Sequence, residues 1–200
     1  LYTIISHIDK TKYEPILIYP YPMLHHERYQ GLDCRKIYLA NHIKWWMGGD
    51  RWKHPLRGTD FLARTIFGMK LSSVIKREKI DILHVNLLRP DSLMWLLPSH
   101  KRGVRIVGHF RCQSLEWVSS RRVQNCCRII LCVSDYSRSR LLSKGKYTET
   151  ITLYDSIDID SLHSELSRKE AKKRLGFPED SILFSSVGQL SRHKGHDNAI

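Results

Sequence analysis

The chain has 200 residues, 42% of them apolar, and a formal net charge of +13. That is enough apolar material for one core of ordinary size, with or without an appendage, and it excludes global disorder. No run of about 18 apolar residues occurs, so a membrane-spanning helix is excluded. No secretory leader is visible, and a chain that opens on Leu1 rather than methionine is expected to lack its true start. The five cysteines are odd in number, and the adjacent Cys126 and Cys127 match no metal-ligand spacing. A reduced, cytosolic setting is the simplest reading.

In chain order, residues 1–8 read as the tail of a helix, and residues 14–19 and 35–39 as β-branched strands. Residues 41–58 form a long aromatic and basic insertion around Gly48 and Gly49, carrying Trp45, Trp46 and Trp52; loops of that length are usually functional. A helix is predicted over 60–79, with Phe61, Leu62, Ile66, Met69, Val74 and Ile75 as its apolar stripe. Strands follow at 80–85, 104–109, 128–133 and 150–154, alternating with helices near 91–97, 114–125 and 136–144. This alternation argues for βαβ units, hence an α/β fold with an open, mostly parallel, Rossmann-like sheet and helices on both faces. From residue 155 the chain turns polar, the best linker candidate, and Ser167 three residues before Glu170 has the spacing of a capping box. Residues 181–187 read as one more buried strand, followed by a basic, glycine-bounded turn over 188–195 and an opening helix. Free backbone N–H groups and Lys194 then stand where anionic ligands dock in α/β folds.

The charge is uneven. Residues 101–140 hold nine basic side chains against two acidic ones, a field that attracts nucleic acid, a phospholipid surface or a phosphorylated small molecule, or else a plain solvated face. Open parallel sheets bind ligands beyond the carboxyl ends of their strands. The candidates there are Asn86, His109, Arg111, Ser134 and Asp155, with Gly188, Arg192 and Lys194 in the last turn. His109, at a strand end beside Arg111, can shuttle a proton or donate to developing negative charge. His84, inside its strand, reads as a structural, hydrogen-bonded imidazole, and Ser134 as the cap of the helix behind it. No G-x-S-x-G elbow, H-E-x-x-H helix or P-loop is present, which removes support from serine hydrolases, zinc proteases and P-loop nucleotidases.

Four blocks, in order, resemble the retaining glycosyltransferases of the family 4 kind with the GT-B fold: Ile80-Asp81-Ile82-Leu83-His84-Val85-Asn86; Arg128 to Ser134 with Tyr136 and Ser137; Ile151 to Asp158; and Val187-Gly188-Gln189-Leu190 through Lys194-Gly195. The resemblance covers residues 80–200, and the register from Leu1 onward also fits. It implies an acceptor-side N-terminal lobe over 1–158 lacking its first strand, a linker with a short helix over 159–179, and the start of a donor-binding lobe over 180–200. It implies His109 facing the scissile sugar as the catalytic histidine and Lys194 neutralising the nucleotide diphosphate. Gln189 occupies the place of the family's usual arginine, which leaves two alternatives, Arg192 as its substitute or a different phosphate contact; Asp155-Ser156 replaces the usual Asn-Gly turn. The substrates implied are a nucleotide-sugar donor and an acceptor glycan or lipid-linked sugar, with no metal or other cofactor required. A fragment of this extent is expected to be inactive alone.

The tryptophan insertion and the basic stretch suit an anionic membrane surface, which gives a cytoplasmic protein with peripheral attachment at the inner face as an open option. Two other readings stay open: a basic nucleic-acid-binding module, against which the absence of any RRM, KH, helix-turn-helix or zinc-finger pattern counts, so that no nucleic-acid partner is expected, and another GT-B enzyme such as a sugar-nucleotide epimerase.

Overall fold

The computed structural model describes residues 2–19, 29–39, 57–88, 92–111, 122, 125–143, 148–157, 159, 162, 164–188, 190 and 194–198. In chain order these form α1 (Tyr2–His7), β1 (Ile16–Tyr19), β2 (Arg35–Tyr38), α2 (Arg57–Arg77), β3 (Ile82–Val85), α3 (Leu93–His100), β4 (Arg105–Phe110), β5 (Ile129–Cys132), α4 (Asp135–Leu142), β6 (Glu149–Thr152) and α5 (Arg168–Arg174). The chain divides into two compact units, Leu1–Ile157 and Asp158–Ile200. The tryptophan insertion up to residue 56, most of the helix expected over 114–125, and Gln189 and Arg192 lie outside the described residues.

Each strand expected between 14 and 154 forms within two residues of its predicted limits, and every pairing is parallel. The fold class is the α/β, Rossmann-like one read from the alternation. The strands make two ladders, however, β1–β2 and β3-β4-β5-β6. β4 and β5 lie inside the larger ladder and bury Ile106, Phe110, Ile130 and Cys132 almost completely, as parallel strands covered on both faces do. The smaller ladder uses its two faces differently. Leu17 joins Ile5 of α1 and Leu32 in a small cluster, whereas Ile18 and Ile37 pack against the main core.

α2 buries only part of the stripe expected of it. Phe67, Leu71, Val74 and Ile75 turn to the core, at positions i, i+4, i+7 and i+8, while Leu62, Ile66 and Met69 are exposed. The helix carries apolar residues on two sides, so periodicity alone could not choose. α3 covers the chosen face: Phe67 meets Trp95 edge-on with ring centroids 6.2 Å apart, and the Ser72 hydroxyl donates to the Pro98 carbonyl at 3.4 Å.

In the second unit, Ser167 accepts from the Glu170 N–H and Glu170 reaches back to the Ser167 N–H, closing the expected capping box on α5. Residues 181–187 make no ladder. Phe184 and Val187 are 95% and 98% exposed; a strand exists only through its neighbours, and among the described residues this segment has none. The opening helix is a single 3-10 turn, His196–Asn198.

Candidate functional site

The carboxyl ends of β3 and β4 bring the first candidates together by register. Val85 pairs with Gly108, so the period-two alternation of a strand puts His84 and Asn86 on the same face of the sheet as His109. The imidazoles of His84 and His109 lie 5.7 Å apart, tilted by 33°. Backbone closure fixes the loop after β3, where the Leu88 N–H donates to the His109 carbonyl at 2.8 Å. Gly108 makes this closure possible: a Cβ there would stand 2.9 Å from Cys127 Sγ and 3.0 Å from Leu88 Cδ2.

His109 is 2% exposed, and neither of its ring nitrogens has a hydrogen-bond partner; His84 Nε2 and Asn86 Oδ1 are likewise buried and unpartnered. His84 thus lacks the hydrogen bond expected of it at Nε2. A strand position predicts which face a side chain takes, not whether a partner waits there. Burial, with Arg111 adding to it, lowers the His84 pKa. Burial, then the charge of Arg111 and the neighbouring His84, holds His109 at about 4, against a smaller raising influence from Asp155. Both imidazoles are therefore neutral near pH 7, each offering one N–H and one lone pair.

Arg111 and Asp155, which follow β4 and β6, meet in an ion pair of 2.6 Å. Ser134 caps α4, its hydroxyl accepting from the Ser137 N–H at 3.1 Å, as its position after β5 predicts. One group escaped the sequence reading: the Asp135 carboxylate accepts from Thr152 at 2.6 Å and Tyr154 at 2.7 Å. These hydrogen bonds lower the Asp135 pKa and raise that of Tyr154. The usable signal was an acid opening the helix after one strand and a hydroxyl residue ending the next.

In the second unit Lys194 is exposed, and Gly188 lies close enough to His196 that a Cβ would be 3.3 Å from Nε2. His196 is held by Ser186 at 2.9 Å. Among the described residues no three His, Cys, Asp or Glu side chains gather where they could hold a metal ion, and no helix is long and apolar enough to cross a membrane.

At the carboxyl edge of this parallel α/β lobe, neutral, unpartnered imidazoles stand beside an arginine, a place where open α/β sheets bind ligands. The profile of Glycosyltransferase Family 4 matches residues 2–161, and the chain belongs to that family, which places it with proteins of glycosyl transfer. No curated protein matches it. Among solved structures it is similar to UDP-N-acetylglucosamine 2-epimerase from Rickettsia bellii, with 13% identity and a TM-score of 0.46 over 82% of this chain and 44% of that one. The chain thus spans less than half of that structure, a likeness too distant to bear on its reaction.

Proposed function

We propose that this lobe is the acceptor side of a retaining glycosyltransferase that takes its sugar from a nucleotide-sugar, with His109 at the reacting sugar. The observation that carries the reading is the set of four buried, unpartnered polar atoms on His84, Asn86 and His109. Buried polar groups are almost always hydrogen-bonded, and a sugar supplies hydroxyls that both donate and accept. Neutral His109 suits a ligand without charge and can donate to oxygen as negative charge develops there.

Lys194, with Gly188 and Arg192, is assigned to the donor diphosphate on the family resemblance. A cation compensates the leaving group as the sugar–phosphate bond breaks, without a metal. Turnover then requires more of a donor lobe than the ladderless described residues of Asp158–Ile200 supply. The acceptor is a glycan or a lipid-linked sugar, and a cytoplasmic protein resting on an anionic membrane surface accords with the latter.

Imidazole NMR tests the site directly on this chain. Saccharides titrated in are expected to shift the ring resonances of His84 and His109, and His109→Asn to weaken that binding. Saccharide binding that leaves both rings unmoved would overturn the assignment.

A further inference from the structure

The opposite end of the sheet holds a cavity of ligand size. It has a volume of about 530 Å³ and lies between the C-terminal ends of α2 and α3 and the amino ends of β3 and β4, within the range typical of small-molecule sites. Its rim carries Lys76, Lys79, Lys101, Arg102 and Arg105 against one carboxylate, Asp81. None of the five cations is ion-paired with a described carboxylate. Nearby Glu78 is already held by Arg35 at 2.6 Å and Arg77 at 2.7 Å. Ile75, Ile80 and Val104 form an apolar floor beneath the rim.

Cations at helix C-termini have an ordinary use, which is to balance the macrodipole. Each terminus carries roughly half a negative charge, so two of them account for about one of the four positive charges in excess. Lys79 adds an independent sign. α2 ends in a Schellman motif, the Lys79 N–H donating to Lys76 O at 3.3 Å and the Ile80 N–H to Ile75 O at 3.0 Å. Its left-handed position, φ 51°, is filled by Lys79 where glycine is the unstrained choice. Among the described residues it is the only non-glycine with positive φ, and it lines the cavity.

We infer that this cavity is a second binding site, for a ligand bearing clustered phosphate groups, separate from the carboxyl-edge site. The shared chemistry is the phosphate cluster, and its source is either a soluble polyphosphorylated molecule or a lipid headgroup. Inorganic tripolyphosphate, titrated calorimetrically, probes the first; flotation with phosphatidylcholine vesicles with and without phosphatidic acid probes the second. Binding of either probe supports the site and names its source.

Lys101→Gln with Arg105→Gln is expected to weaken that binding at least about tenfold, since a hydrogen bond to a charged group is worth that much. Lys173→Gln with Arg174→Gln, which removes equal charge from α5, leaves it nearly unchanged. Lys79→Gly separates function from folding: it weakens binding while raising the thermal midpoint by about 2–4 °C, because strain is relieved. Binding of neither probe, equal loss in the two double variants, or unaltered affinity in Lys79→Gly would each overturn the inference.

Discussion

Replacing His109 by glutamine should make the fold less sensitive to mild acid. A buried histidine whose folded pKa of about 4 lies below its ordinary 6.5 refuses a proton that the unfolded chain accepts. Its stabilising share is therefore whole above pH 6.5 and is lost as pH falls toward 4. Over the full interval that amounts to about 3 kcal/mol, and by pH 5 about 2 kcal/mol is already gone. This is a sizeable part of a domain stability of about 5–15 kcal/mol. The window from pH 7.5 to 5 isolates the effect, because the carboxylates whose pKa values the fold lowers, Asp135 and Glu78 among them, stay ionised throughout it. Urea unfolding of the parent chain and of His109→Gln at the two pH values reads the difference of differences, so any fixed cost of the substitution cancels. The variant is expected to lose about 2 kcal/mol less than the parent. Identical losses in the two proteins would refute the neutral, buried imidazole on which the site rests.

Gly108→Ala should overpack the joint between Cys127 and Leu88, costing about 1–3 kcal/mol in the denaturation midpoint; truncating Cys127 to alanine in the same chain should recover part of it. Burial pushes the Cys127 thiol up to about 12 and Cys132 to about 11, so iodoacetamide should label Cys34 well before Cys126, Cys127 or Cys132, as read by peptide mass spectrometry. Ser134→Ala should cost about 1 kcal/mol as a lost helix cap while leaving saccharide binding intact, which calorimetry on one sample can check together. Asp135→Ala removes the partner that raises the Tyr154 pKa, and ultraviolet titration should show that phenol ionising at lower pH than in the parent.

What the sequence made legible was local. The β-branched runs behind β3, β4 and β5 and the Ser167 capping box carry their conformation in adjacent residues, and their limits were nearly right. What it hid depended on distant partners. The apolar content of residues 181–187 is that of a strand, yet no neighbour pairs with it among the described residues. Two apolar faces on α2 left the buried one to be chosen by Trp95 and the rest of α3. The split into two ladders is a matter of which strand lies beside which, and composition does not record that. Asn86, His109 and Arg111 could be singled out because residues at strand ends are few and position alone ranks them. The meeting of Arg111 with Asp155 joins groups 44 residues apart, and the third unpartnered side chain, His84, needed the β3–β4 register before its face was known. The basic stretch of residues 101–140 also reads differently in space. Lys101, Arg102 and Arg105 belong to the amino ends of the strands and Arg111 to the carboxyl ends, so one charge run in sequence is two environments in the fold.

Those environments call for different chemistry, and the reason is solvent. At the carboxyl edge His109 is buried, where holding a charge is costly; its imidazole is neutral and unpartnered, and the proposed sugar site would discriminate by hydrogen-bond geometry. At the amino edge Lys79, Lys101, Arg102 and Arg105 are exposed, where charge is cheap to keep and long-range attraction survives only within about 8–10 Å at ordinary ionic strength. Raising salt should therefore weaken tripolyphosphate binding steeply and leave saccharide binding almost untouched. If both fell together, the two ends of the sheet could not be separate sites.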